Sequence, residues 1–276
     1  FFAIPLRALK EFSSGEILYF RILFSLIVVG VVIIGFRRKE AWADWMTFQT
    51  SSPERKKAIL WLTLAGGALL TINWLTFIYI VTNINVKTAS FAYLICPVIT
   101  AVLGYVLLRE KLSSRQWLAV GLCAMSCCLV GLSSWMELSF SFFTAFTYAL
   151  YLISQRKNQG FDRIVILGIQ VLFSFVILST TFNFLVDTVP QSGFFYSTIF
   201  IIAVVFTVLP LFLNLFALNR INSATIGILM YLNPLFNFTV AFIIYNEKVT
   251  PLQVTGYALI AVALILFNLQ HFKRQQ

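Results

Sequence analysis

The sequence predicts an all-α polytopic membrane protein: ten transmembrane helices arranged as two inverted five-helix repeats, with the first helix only partly present. Three observations predict it. The 276-residue chain is 60% hydrophobic and only 11% charged, and its mean hydropathy is +0.90. A water-soluble domain of this length must carry more charge on its exterior. Apolar runs long enough to span a bilayer recur along the whole chain. The second half also repeats the first 137 residues later: between Asn83–Leu132 and Arg220–Leu269 eleven of fifty positions are identical. The matches include Asn85/Asn222, Thr88/Thr225, Pro97/Pro234, Glu110-Lys111/Glu247-Lys248 and Gln116/Gln253.

A span needs about 20 apolar residues to cross roughly 30 Å of hydrocarbon at 1.5 Å per residue. Runs of that length fall near 17–36, 58–82, 86–108, 116–135, 138–155, 163–186, 194–219, 223–245 and 251–270. Residues 1–9 supply about half of a tenth span, and because the chain opens on Phe1 the rest is expected upstream. A cleaved signal peptide is the rival, but it would leave a half-span with Arg7 in the membrane. Two copies of five give a first repeat over 1–136 and a second over 137–276. The one sizeable segment outside the spans, 40–57, carries Trp42, Trp45 and Phe48 and reads as a short helix lying in the interface.

Charge sets the orientation. Basic residues gather at Arg37-Arg38-Lys39, Arg55-Lys56-Lys57, Arg109/Lys111/Arg115, Arg156-Lys157/Arg163, Arg220 and Lys273-Arg274, fifteen of the twenty in the chain. With alternating helices these fall on one side, which the positive-inside rule makes cytoplasmic. The opposite side holds Lys10, Lys87 and Lys248 beside Glu11, Glu137, Asp187 and Glu247. The net charge of +10 is therefore a topology signal and no nucleic-acid footprint. It puts Glu110-Lys111 inside and its match Glu247-Lys248 outside. Five spans per copy, an odd number, invert the second copy, the arrangement that supports alternating access around a site between the copies near the midplane.

Enzyme chemistry finds no foothold. No Asp or Glu lies inside any predicted span from residue 58 onward, so the paired acids of an intramembrane protease are missing. Cys96, Cys123, Cys127 and Cys128 all fall within spans, which implies no disulfide framework. With His271 the only histidine, no metal or cofactor site is expected.

A polar side chain in hydrocarbon is costly unless it faces protein or water, so such residues point to a pathway. Asn73 lies mid-span beside Trp74, the one tryptophan away from span ends and the interfacial segment. With Phe77 it would offer an amide and two aromatic faces to a cavity, although a hydrogen bond to a neighbouring helix accounts for Asn73 equally well. Ser90 and Tyr93 precede Pro97 at helical spacing; Thr225, Gly227, Tyr231 and Asn233 precede Pro234. Each proline frees the carbonyl four residues earlier, at Tyr93 and Met230, and bends its helix. Tyr148 and Tyr151 beside Thr147, and Asn214 beside Pro210, complete the candidate substrate contacts. Arg7, Glu16 and Arg21 bracket one end of the first two spans as anion-binding or gating candidates, with a structural Glu16–Arg21 pair as the alternative. No central carboxylate is present to neutralise a permanent cation or relay a proton.

These segments together resemble the RarD-like branch of the EamA family within the drug/metabolite transporter superfamily. The resemblance is carried by Glu16-Ile-Leu-x-x-Arg21, Asn73-Trp-Leu-x-Phe-Ile78, Ala89-Ser-x-x-Tyr93-x-x-x-Pro97, Glu110–Val120, Ala145-Phe-Thr-Tyr-Ala-Leu-Tyr151 and Tyr231-x-x-Pro234, in order along nearly the whole chain. It implies ten helices, cytoplasmic termini, a bacterial inner-membrane location, and a central cavity lined by the first, third, fourth, sixth, eighth and ninth helices. Phe20 stands where the branch usually has His, Cys96 where it has Asn, and Met230 where it commonly has Gln. The expected function is a secondary carrier that exports a small neutral, zwitterionic or anionic metabolite, with membrane lipid as its other partner. A non-transporting receptor or scaffold with the same fold, and a passive channel, are the rivals.

Overall fold

The computed structural model describes residues 5–6, 8–84, 86–130, 135–186, 188–218, 220–222, 225–226, 229–232 and 251–273. Arg7, Asn233 and Pro234 lie outside the described residues, as does most of the predicted span 223–245. The described secondary structure is helical. In chain order the helices are α1 (Ser14–Phe36), α2 (Arg38–Thr50), α3 (Pro53–Tyr79), α4 (Val86–Leu108), α5 (Ser114–Val130), α6 (Trp135–Lys157), α7 (Arg163–Thr180), α8 (Gly193–Ala203), α9 (Leu209–Leu218) and α10 (Pro251–Lys273). A π-turn, Ile80–Ile84, extends α3, and a second, Val204–Val208, joins α8 to α9. Among the described residues six stretches are long and apolar enough to cross a membrane: Ser14–Phe36, Pro53–Ile84, Thr88–Leu108, Trp135–Lys157, Arg163–Thr180 and Gly193–Leu218.

Local chemistry explains where the ends differ from a hydropathy reading. The predicted interfacial segment 40–57 is divided: α2 ends at Thr50, and residues 53–57 form the first turns of α3. The break is encoded by Ser52, whose hydroxyl accepts from the Arg55 amide, followed by Pro53 at the first helical position. The predicted run 163–186 likewise stops at Thr180, with a separate short turn Phe182–Leu185. Asp162 starts α7 by accepting from the amides of Ile164 and Val165 at 2.9 and 3.2 Å.

The chain packs as two compact units. The first comprises Phe1–Asn83 with Ser154–Arg220, and the second Ile84–Ile153 with Ile221–Gln276. Each draws on both halves of the sequence, so the packing units and the repeat copies are different divisions of the chain.

In the first unit α3 buries a stripe at helical spacing, Thr63, Gly66, Gly67, Leu70, Thr71, Trp74 and Phe77. Polar side chains join it to the α6–α7 loop and to α7. Asn158 Nδ2 donates to Thr63 Oγ1 at 2.9 Å, Gln170 Nε2 to the Thr63 carbonyl at 3.3 Å, and Thr71 and Ser174 share a hydroxyl bond of 2.6 Å. In the second unit α5 and α10 enclose Ala119, Val120, Cys123, Ile260, Ala263, Leu264 and Phe267. Ser126 Oγ ties the pair to the Gly256 carbonyl at 2.8 Å.

Gly15 touches the backbone of Leu185, whose carbonyl and Cα lie where a β-carbon would go, whereas nothing approaches Gly121. Gly15→Ala should therefore lower the thermal unfolding temperature by an amount equivalent to about 1–3 kcal/mol. Gly121→Ala, at an open helical position, should leave it unchanged or raise it by up to about 1 kcal/mol.

The α2 helix is tied to the α6–α7 loop by the Asp162 amide, which donates to Asp44 Oδ2 at 2.9 Å, and by Arg37, which bridges Glu40 at 3.4 Å and Asp162 at 3.5 Å. Burial pushes the Asp44 carboxyl above its ordinary 3.8, and the charges of Asp162 and Glu40 add to the rise against the pull of the Asp162 amide. Because the folded pKa is raised, the stabilisation is full below the ordinary value and is lost as pH climbs through the raised one. Asp44→Asn keeps an oxygen for the Asp162 amide without the charge. It should melt higher than the wild type at neutral pH, and the gap should close in acid when melting is followed at both.

Candidate functional site

The candidate site in the first unit is built around a buried cation. Arg21, on α1, is 3% exposed and lies in a helix apolar enough to span a membrane. Its Nε donates to Thr207 Oγ1 at 2.8 Å, and its guanidinium carbon sits 4.6 Å from the centroid of the Trp74 ring. Planar guanidinium on indole is a favourable stack, strengthened where water is excluded. Thr207 can serve because the chain is a π-turn there: its hydroxyl also donates to the Ile202 carbonyl at 2.9 Å, five residues back. Pro210, three residues on, lacks an amide to continue an ordinary ladder, a common cause of such a wide turn. Asn73 and Phe77 flank Trp74 and are buried with it. Thr207 is not among the residues expected from the sequence; a hydroxyl three residues before a mid-span proline is the signal that marks it.

The Glu16 carboxylate is used elsewhere. Ser13 and Glu16 form a reciprocal cap at the start of α1, with the Ser13 amide donating to Glu16 Oε2 at 3.0 Å and the Glu16 amide to Ser13 Oγ at 3.1 Å. Side chains five apart on a helix point about 140° away from each other, so Glu16 and Arg21 have separate partners. Beside this cap Ser14 Oγ and Thr82 Oγ1 are 2.7 Å apart, and Asn83 Nδ2 donates to Ser14 Oγ at 3.1 Å. Phe20 packs edge-on against Phe195 and Tyr196, with centroids 5.6 and 5.4 Å away. An apolar ring at that position has an aromatic socket. Asn214, on α9, is half-buried.

In the second unit Ser90, Tyr93 and Tyr148 are half-buried, and Tyr151 is fully buried with its ring 5.8 Å from that of Tyr148. Pro97 lies within α4. The carbonyl shown accepting side-chain bonds is Leu94's, one residue beyond the Tyr93 carbonyl expected to be freed: the Tyr231 hydroxyl donates to it at 2.6 Å and Cys127 Sγ at 3.3 Å. The Tyr231 hydroxyl is thus engaged within the core, where its ring is fully buried. Cys96 and Met230 meet in one apolar cluster with Ala145, Ala149 and Tyr148, so these two polar-to-apolar departures share a location.

A further polar group escaped the sequence reading. Gln155 and Gln170 are buried, and a β-carbon on Gly66 would come within 2.6 Å of both of their Nε2 atoms. Arg163, counted with the loop charges, is 3% exposed, and its Nη1 donates to the Gln155 and Asn158 carbonyls at 3.1 and 3.2 Å, capping the end of α6. The rule that singled out Asn73 would have found Gln170 as well. Among the described residues no cluster of three His, Cys, Asp or Glu is placed to hold a metal ion.

Comparison with known proteins agrees with this architecture. The model of the EamA-like transporter family matches the chain twice, over residues 2–132 and 135–269. Protein RarD of Streptomyces exfoliatus is 28% identical over 94% of this chain and 81% of its own length. Protein RarD of Escherichia coli is 26% identical over 92% and 84%. An uncharacterized transporter of Vibrio cholerae is 29% identical over 98% and 88%. A protein of known crystal structure shares the fold with a TM-score of 0.67 at 12% identity, over 95% of this chain and 89% of that one. Its two family matches, the RarD relatives along most of its length and its membrane-length apolar helices place this chain in the EamA-like transporter family, as a RarD-like, multi-pass bacterial membrane transporter.

Proposed function

We propose that the chain is a secondary carrier of the inner membrane that moves a small organic anion or zwitterion, by alternating access of two inverted five-helix copies. The observation that carries the substrate class is Arg21, a permanent cation buried in a membrane-length helix, stacked on Trp74 and oriented by Thr207. A guanidinium held this way suits a carboxylate, whose two oxygens match its fork. Asn73 supplies an amide and Trp74 and Phe77 aromatic surface for the rest of the molecule. Ser90, Tyr93 and Tyr148 are proposed as further substrate contacts, and Pro97 and Pro234 as bends that let their own helices gate. Export is the proposed direction and a cytoplasmic C-terminus the proposed orientation. The double family match, the matched prolines and the one-sided basic residues support this reading.

Vesicles containing the purified protein and loaded with a metabolite extract should lose a short set of compounds, each bearing a carboxylate, as read by mass spectrometry against empty vesicles. Asn73→Ala and Tyr93→Phe should each cut that flux without lowering the amount of protein inserted. Arg21→Lys keeps the charge but not the planar fork and should raise KM on the order of tenfold, the worth of one charge-assisted bond. Release confined to cations would sink the substrate class. Rates that neither saturate nor show counterflow would make the protein a channel, and no release in either orientation would favour a receptor or scaffold.

A further inference from the structure

The start of α3 carries a second feature, outside the candidate site. Pro53, Lys56, Lys57, Leu60, Trp61 and Leu64 line an open groove of about 510 Å³. These positions recur at three- and four-residue spacing and form a stripe about a quarter of a turn around the helix from the buried one. The groove is apolar along its length: the aliphatic stems of Lys56 and Lys57 wall one end, and Leu60, Trp61 and Leu64, all exposed, wall the rest. Lysine to Leu64 is about 12 Å along the helix at 1.5 Å per residue, the distance from a bilayer's headgroups into its acyl chains. The helix is one of those long and apolar enough to cross.

The charge around the groove is biased the same way. Residues 37–57 hold six basic and three acidic side chains. Two of the acids are engaged locally, Glu40 with Arg37 and Asp44 with the Asp162 amide. Lys56 is steered by Phe48 of α2, whose ring centroid is 6.0 Å from Nζ. A free phosphate could use the ammonium groups but would gain nothing from the apolar walls. A zwitterionic lipid could use the walls but offers the lysines no net charge.

We propose that this groove binds an anionic phospholipid, its phosphate against Lys56 and Lys57 and one acyl chain along Leu60, Trp61 and Leu64. The site is independent of the carrier reading and holds whether or not the protein transports.

The test uses the purified full chain, offered equal amounts of phosphatidylglycerol and phosphatidylcholine, with retained lipid counted by native mass spectrometry. The wild type should retain phosphatidylglycerol preferentially. Lys56→Gln with Lys57→Gln should reduce that retention about tenfold, while Arg38→Gln with Lys39→Gln, which removes equal charge outside the groove, should change it less than about twofold. An equal loss from both pairs would reduce the effect to general surface charge and overturn the site, as would no loss from the lysine pair. A second arm needs no variant. Water-soluble glycerophosphoglycerol should fail to displace the long-chain lipid from the wild type. Displacement at comparable concentration would make this a site for a free phosphate ester and overturn the lipid assignment. Melting curves confirm that each variant is folded; if the lysine pair is not, the competition arm decides.

Discussion

In hydrocarbon a polar atom must find its partner inside the protein, and much of the first unit is organised by that requirement. Water is absent as an alternative, so a buried amide or hydroxyl is costly until another helix answers it. Between α3, α6 and α7 the answers are Thr63 to Asn158, the Thr63 carbonyl to Gln170, and Thr71 to Ser174. Gly66 and Gly67 let the helices come close enough for these short side chains to meet. The satisfaction is incomplete: among the described residues, Ser25 Oγ, Gln155 Oε1 and Gln170 Oε1 are buried without a hydrogen-bond partner. Arg163 shows the same economy at a helix end, where one side chain closes the Gln155 carbonyl of α6 and that of Asn158 just beyond it. Polar residues thus serve as fasteners in one part of the unit and as a cation platform in another, and the difference is charge. Asn158 and Thr63 pair as neutral groups; Arg21 brings a full charge, oriented by stacking on Trp74 and by its bond to the Thr207 hydroxyl.

The helices were legible because hydrocarbon thickness imposes a length on apolar runs. Apart from α2, which lies in the segment between the first two full runs, the helices from α1 through α9 fall on the expected runs, and α10 covers 251–270. The errors come from chemistry that hydropathy averages away. Ser52-Pro53 begins a helix inside a segment read as interfacial, and Thr181 interrupts a run that looked continuous. Asn73 and Trp74 stood out because they are the wrong residues for a span. Thr207 did not, since a threonine is ordinary in a membrane helix and only the π-turn turns its hydroxyl to account. Arg163 was hidden by its position at a span end, where a basic residue has a ready explanation. The partners of Glu16 and Arg21 were also beyond reach, because a cap is local while Thr207 lies 186 residues from Arg21.

The repeat carries a different lesson, because the residues it matches are of a different kind from those that could do chemistry. Gln116 closes a reciprocal cap with Ser113 at the start of α5, the Ser113 amide donating to Gln116 Oε1 at 2.9 Å and the Gln116 amide to Ser113 Oγ at 3.4 Å. The same spacing recurs in the sequence at Thr250 and Gln253. Pro97 lies inside α4, and the Leu94 carbonyl three residues before it accepts from Tyr231 and Cys127. Matched positions of this sort belong to residue types that start helices or interrupt their hydrogen-bond ladder. Arg21, Asn73 and Trp74 have no such match: 137 residues on stand Asn158, Pro210 and Leu211. The residues that repeat are thus of the kind that shape helices, while Arg21, Asn73 and Trp74, the residues proposed to meet a substrate, have no counterpart in the second half of the sequence.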